Sequence, residues 1–539
     1  MPSLLHGCGC STEDLSKHRI GIANTWSELN PGHIHLRRIA EAVKKGVKAV
    51  GMKPFEFNTI GPCDGLAEGH EGMNYILPAR DIIAASIEIM AKSGRLEGLV
   101  LIGSCDKIVP GLLMAAARLD IPAIVITGGY HQPYRFTKPS FASESEFAQS
   151  EIGKFYFAKE DGTISQEEFE KALKGIVTGP GACPTMGTAN TMQCLTEAIG
   201  MSLPYSAVLP AESQRKFQFA EEAGRTMKAL LTKGLTPSKI MTAQAFRNAI
   251  TVLNTIGGST NAFIHLPAIA YELDIQLPLE LFEEISNKTP MTCDVKPNGS
   301  RTVNAIDEAG GIPAVMKNVQ SLLNLECQTV SGQTIADVVN DASIKDEDII
   351  RPFSSPISAD GGLKVLKGSL ALHGAIVKKS AVSESMQQFS GPARVFESEE
   401  EAIYNLHNGK VQPGECVIIR NEGPIGGPGM REMAIAGHLV QLLGKNNALV
   451  TDGRFSGTNY GLNIGHVCPE SSEKGAMAVV RDGDTVIIDI HQGKIDLDVS
   501  EEELNQRLSN WSPPEPRFKK GVLSLYSRNV KSAIGGATW

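Results

Sequence analysis

The sequence predicts an α/β protein in two parts. The first, residues 1–350, is a three-layer α/β/α domain with a largely parallel sheet, and the second, residues 351–539, is β-barrel-like. Three observations carry this. At 539 residues the chain exceeds what one hydrophobic core organises, so two domains are expected. From residue 17 to 129 short apolar runs alternate with amphipathic helical patterns, which is how a parallel sheet covered on both faces reads. After Pro352 the texture changes to glycine-punctuated strands at fairly regular spacing, the pattern of a barrel or sandwich.

Residues 19–24 read as a strand, 33–50 as a helix with apolar positions Ile34, Ile39, Ala42, Val43 and Val47, and 54–58 as an extended piece. A helix over 79–93, a buried strand over 98–103, a helix over 108–119 and a strand over 123–127 follow. The stretch 132–175 is polar and helical and reads as an insertion, with 167–172 along a solvated face. Helical patterns resume at 189–200, 211–233 and 242–255. Strands are expected at 370–378, 393–396, 415–420, 448–452 and 485–490, with the boundary near 340–355.

Composition removes several function classes. The 51 Lys+Arg against 60 Asp+Glu give a formal charge of −9, and no window carries the basic stripe that a phosphate backbone demands, so nucleic acid is not an expected partner. Apolar runs such as 99–102 and 121–126 fall far below the roughly 20 residues of a membrane span. Residues 1–11 lack the apolar run and basic flank of a signal peptide, so a cytoplasmic location is expected. The ten cysteines are scattered, which fits thiols or metal ligands rather than a disulfide framework.

Chemistry is sought in the loops after strands, where open parallel sheets collect ligands. Cys63-Asp64-Gly65 and Cys105-Asp106-Lys107 each set a thiol beside a carboxylate at such a place. Neighbours in an extended segment point in opposite directions, so each pair can serve two adjacent centres, soft sulfur for one and hard oxygen for the other. Taken singly, a Cys-Asp pair reads as a buried thiol beside a turn carboxylate; two in successive loops raise the case for a site. The glycine-rich segment Gly179-Pro-Gly-Ala-Cys183 opens a helix, where the dipole favours a thiolate, although a structural turn is the competing reading. Cys8-Gly-Cys10 reads as a pair of free thiols, and Cys194, Cys293, Cys327, Cys416 and Cys468 as core residues. His33, His35 and His70 lie close to the motifs, either orienting substrate or bonded within the fold.

Several motifs occur together and in order: Pro31-Gly-His-Ile-His-Leu36, Phe57-Asn-Thr-Ile60, Cys105-Asp-Lys-Ile-Val-Pro-Gly111 and Thr188-Ala-Asn-Thr-Met192, followed by Gly257-Gly-Ser-Thr-Asn261, Glu422-Gly-Pro-Ile-Gly-Gly-Pro-Gly-Met430 and Asp452-Gly-Arg-Phe-Ser-Gly457. With these the chain resembles the dihydroxyacid and sugar-acid dehydratases from about residue 19 to 490.

The resemblance implies an iron-sulfur cluster, [2Fe-2S] or [4Fe-4S], held by three cysteines with one iron open to the departing hydroxyl. The usual first ligand lies in a Pro-Cys-Asn motif, but here Pro31-Gly32-His33 stands in its place, and Cys63 looks like the replacement, as in a subgroup with Cys-Asp-Gly. The implied cluster ligands are therefore Cys63, Cys105 and Cys183, with His33 as the competing first ligand. The resemblance further implies Mg²⁺ on Asp64, Asp106 and Glu422, a carbamylated Lys107 as an additional oxygen ligand, and Ser456 as the base. The simpler reading of Lys107 is a partner for Asp106, and Arg454 reads as a partner for a carboxylate of the fold. Members are usually homodimers or dimers of dimers.

The implied reaction is removal of water from a 2,3-dihydroxy carboxylic acid to give a 2-keto acid. The first substrate is 2,3-dihydroxyisovalerate of branched-chain amino-acid biosynthesis. Departures at Arg431-Glu-Met-Ala-Ile-Ala-Gly-His438, at Thr458-Asn-Tyr460 and around Cys183 keep an aldonate as the alternative. An electron-transfer or sensor protein would need a fourth cluster ligand and no hard-metal site.

Overall fold

The protein is described by a computed structural model covering residues 2–138, 140–443 and 446–539. Four strands form the first sheet: β1 Arg19–Asn24, β2 Lys53–Asn58, β3 Gly98–Gly103 and β4 Ala123–Thr127, in the order β2-β1-β3-β4 and parallel throughout. The central β3 and the flanking β4 are buried along their whole length, as expected of apolar runs covered on both faces. Helices Leu36–Ala49 and Gln214–Lys233 pack together on one face, and Ile76–Gly94 with Ile108–Leu119 on the other. The first pair approaches closely because glycines face each other. A Cβ on Gly46 would lie 1.9 Å from the Glu221 carbonyl oxygen, and one on Gly224 2.4 Å from that of Val43.

β1 sits between β2 and β3, so the order of the chain reverses there, and the loops leaving β1, β2 and β3 open onto one crevice. The helix expected over 33–50 begins only at Leu36. The residues before it form a turn instead, in which the Asn30 side chain accepts the Gly32 N–H at 2.9 Å.

The insertion differs from its polar reading. It contains the hairpin β5 Tyr134–Arg135 and β6 Glu146–Phe147, then helices Ile152–Glu160 and Gln166–Gly175. These enclose an aromatic cluster of Phe147 and Phe155 with Phe136 and Phe141 packed against them. Those rings are spread over some twenty residues without helical or alternating period, which hides them from a pattern search.

The remaining strands are β7 Lys364–Gly368, β8 Ala371–Val377, β9 Gln388–Phe396, β10 Cys416–Ile419, β11 Ala448–Thr451, β12 Asn463–Cys468, β13 Thr485–Asp489 and β14 Lys494–Leu497. They close into a barrel in the order β10-β11-β12-β8-β7-β14-β13-β9, filled by Leu366, Ala375, Ile418, Val450, Ile464 and Val486 among others. Strands β7, β12 and β14 were not anticipated from the sequence. Each is short and carries glycine, histidine, lysine or aspartate, so none stands out as an apolar run. Among the described residues no helix is long and apolar enough to cross a membrane.

Candidate active site

A cavity of about 420 Å³ lies where the sheet loops meet the barrel loops. Its wall includes Cys63, Cys105 and Cys183, the carboxylates Asp64, Asp106 and Glu432, and Ser456. Cys63 and Asp64 stand at the start of the short turn of helix after β2, and Cys105, Asp106 and Lys107 immediately precede the helix after β3. Cys183 arrives from the loop that opens helix Thr188–Ala198, held there by Asn190, whose amide donates to its carbonyl at 2.6 Å.

The thiols share one environment. Burial, followed by the charge of Asp64, pushes Cys63 up to about 12. Burial raises Cys105 well above the ordinary thiol value, with Cys63 and Asp64 next, and burial and then Asp64 raise Cys183. Such thiols ionise only when a cation joins them, the condition a metal centre satisfies. Two amide side chains frame them. Cys105 Sγ lies 3.3 Å from Asn30 Oδ1, and Cys183 Sγ lies 3.5 Å from Gln149 Oε1.

Beside the thiols lies a group of carboxylates. Atoms of Asp64, Asp106 and Glu432 lie within 4.8 Å of one another, a grouping that suits a hard divalent ion. Lys107 is buried beside them, with its amine against Asp106 and 3.5 Å from Glu432 Oε2. Burial, and then the charge of Arg454, push this amine down to about 7. Glu432 is held by Asn261 at 3.2 Å and by Arg454 Nη1, so Arg454 does pair with a carboxylate of the fold. His265, wholly buried, has its Nε2 3.9 Å from Asp106 Oδ1.

Ser456, 9 % exposed, sits on the loop after β11. That loop is pinned at each residue: Arg454 Nε donates to the Met430 carbonyl at 2.6 Å, Thr260 Oγ1 to the Phe455 carbonyl at 2.9 Å, and Lys378 Nζ to the Gly457 carbonyl at 2.7 Å. The Ser456 hydroxyl accepts the Thr458 N–H at 3.0 Å. A Cβ on Gly457 would meet the Met186 carbonyl at 2.6 Å, so only glycine fits the approach.

Against this geometry, models of the dihydroxy-acid/6-phosphogluconate dehydratase N-terminal and C-terminal regions match residues 17–338 and 348–537. The chain is also 46% identical to a dihydroxy-acid dehydratase of Caldanaerobacter subterraneus subsp. tengcongensis over 100% of this chain and 96% of the relative. It is 45% identical to proteins of the same name from Ignicoccus hospitalis and Methanosarcina barkeri, over 99% of this chain and 96% of each relative. The chain belongs to the dihydroxy-acid and 6-phosphogluconate dehydratase family.

It is thus a dehydratase. Cys63, Cys105, Cys183, Asp64, Asp106 and Ser456 line the one cavity, with Lys107 buried against Asp106 behind its wall. Glu422, the expected third oxygen ligand, does not join the carboxylate group; Glu432 stands there instead. After β10 the chain closes a glycine loop on itself, with Gly427 N–H to the Gly423 carbonyl at 3.0 Å and Arg431 N–H to the Glu422 carbonyl at 3.1 Å. Glu422 is left behind the loop, accepting the Glu399 N–H at 3.2 Å and lying 3.4 Å from Arg517 Nη1, and burial pushes its carboxyl up to about 8.

His33 has no nitrogen to offer a metal. Its Nδ1 bonds the Thr25 carbonyl at 2.6 Å, and its Nε2 accepts the N–H groups of Ser104 at 3.3 Å and Cys105 at 3.1 Å. It shapes the Cys105 loop. His35 and His70 likewise bond backbone. The turn at Gly32 passes directly against the Cys105 thiol, since a Cβ there would lie 2.5 Å from Cys105 Sγ. Sequence reading also missed Asn30, Gln149 and Lys378, which carry no motif of their own.

Proposed function

We propose that this chain dehydrates a 2,3-dihydroxy carboxylic acid to the 2-keto acid, with 2,3-dihydroxyisovalerate as the reference substrate, using an iron-sulfur cluster on Cys63, Cys105 and Cys183 and a divalent cation such as Mg²⁺ on Asp64, Asp106 and Glu432. The observation that carries this reading is the convergence of three thiols, three carboxylates and Ser456 on one cavity. Three thiolates leave an open coordination position, whereas four would close it, and among the described residues no fourth cysteine lines the cavity. When bound, the two inorganic groups would supply Lewis acidity toward the leaving 3-hydroxyl and toward the carboxylate and 2-hydroxyl.

The chain's own part is proton handling and placement. Ser456 Oγ, in its alkoxide form, takes the proton from C2 while the C2–C3 double bond forms and the C3–O bond breaks, and it returns that proton to the departing hydroxyl, which leaves as water. The enol then passes its hydroxyl proton to solvent as C3 gains one, giving the ketone with no net oxidation. Lys107, an amine that burial holds near neutrality, suits reaction with CO₂ to a carbamate, which would turn a cation beside the metal site into an oxygen donor. Intact-protein mass spectrometry reads that adduct directly.

The deciding experiment is anaerobic reconstitution with iron and sulfide, followed by assay on 2,3-dihydroxyisovalerate and several aldonates. Expected are a cluster spectrum that changes on adding the hydroxy acid and formation of 2-keto acid. Full cluster content in Cys183→Ser would overturn the ligand assignment.

A further inference from the structure

The cavity has two unlike ends. Helix Ala434–Leu443 starts two residues after Glu432 and turns Ile435, His438, Leu439 and Leu442 toward the cavity, the i, i+3, i+4, i+7 face of one helix. At 1.5 Å per residue this stripe runs roughly 10 Å away from the carboxylates. Its near end touches the loop after Asp64, where a Cβ on Gly69 would lie 2.5 Å from Ile435 Cδ1. Its far end meets the insertion, where a Cβ on Gly153 would lie 3.8 Å from Leu442 Cδ1. Across from the stripe, helix Ile152–Glu160 presents Ile152, Tyr156 and Phe157.

We propose that this apolar passage between the two helices is a substrate subsite, and that it takes an extended alkyl or aryl substituent on C3 of the dihydroxy acid. The inference rests on the dehydratase reading and adds the substrate's far end to it. On the cavity wall Glu151 pairs with Lys154 at 2.8 Å, and behind it with Lys296 at 2.9 Å. Within the stripe the one polar atom without a partner is His438 Nε2, on a ring set 5.8 Å from Tyr460. A tail of successive hydroxyls, as on an aldonate, would lose its water there and find few groups to bond besides the Tyr156 and Tyr460 hydroxyls and His438 Nε2. Methylenes lose nothing, and each gains by burial.

The test uses the cluster-loaded, full-length enzyme and 2,3-dihydroxy-3-methyl acids whose second C3 substituent grows from methyl to hexyl, with an aldonate alongside. Expected is a rise in kcat/KM of about fourfold per methylene until the passage is full. Leu442→Asn and, on the opposite wall, Tyr156→Ser should each flatten that rise. Calorimetric titration of the matching 2-keto acids reads the subsite without turnover and should show the same dependence on chain length. A flat or falling series in both measurements overturns the subsite, as does an aldonate turned over faster than every alkyl acid. If keto-acid affinity climbs with chain length while no acid is dehydrated, the subsite stands and the dehydratase reading falls.

Discussion

The two halves of the active site are built on different terms. Sheet loops deliver sulfur and oxygen within a few residues of a strand end, as Cys63-Asp64 after β2 and Cys105-Asp106 after β3 do. Barrel loops deliver Glu432 and Ser456 only after the chain has turned back on itself, and they need side chains from elsewhere, such as Thr260 and Lys378, to hold them. The sheet half is therefore a platform set by strand ends. The barrel half is a positioned tool, and its failure should look different.

Replacement on the platform should remove the inorganic group and all turnover with it. Cys105→Ser is expected to reconstitute with little or no iron, read by iron and sulfide analysis, and to show no activity above background. On the barrel side, Ser456→Ala should keep its full iron content and visible spectrum yet lose on the order of 10²–10⁴ in kcat, the usual worth of a positioned proton acceptor. Equal loss of iron in both variants would erase the distinction.

That same contrast governed what was legible in the sequence. Strands β3 and β4 and the helix Ile108–Leu119 stood where the pattern placed them, because buried parallel strands are unbroken apolar runs. Residues that follow them directly, Cys105 and Asp106, were singled out by position and given ligand roles by the family resemblance, and both line the cavity. Glu432 was not, since nothing local distinguishes it from Glu422; only closure of the Gly423–Gly429 turn decides which carboxylate faces the cavity. Lys378 and Asn30 act through backbone carbonyls or a single sulfur contact, and such contacts leave no trace in spacing. The aromatic core of the insertion was likewise invisible, being built from rings brought together by the hairpin and its helices.

The exchange of glutamates gives the next largest effect. Glu432→Gln should weaken divalent-ion affinity by about 10- to 100-fold, measured by the Mg²⁺ dependence of kcat or by direct ion titration. Glu422→Gln should leave that affinity unchanged, because its carboxyl faces Arg431 and Arg517 behind the loop. It should instead cost about 1–3 kcal/mol of stability through a damaged buried network. The opposite pattern would return Glu422 to the metal.

The smallest effect isolates the barrel's way of placing Ser456. Lys378, 5 % exposed, reaches the Gly457 carbonyl at 2.7 Å, and burial pushes its amine down to about 7. In Lys378→Met that carbonyl loses its donor and the serine loop is free to drift, so kcat should fall roughly tenfold while KM and iron content hold. Lys378→Arg should recover part of the loss. Stability adds an independent readout with a definite sign. The folded pKa lies below the unfolded one, so between about 7 and the ordinary lysine value the unfolded chain binds the proton more tightly, and this group makes the wild type gain stability as pH rises through that window. Methionine abolishes the term. The melting temperature of Lys378→Met relative to wild type should therefore be higher at pH 6 than at pH 9, and a difference independent of pH would mean that the amine is solvated in the folded protein.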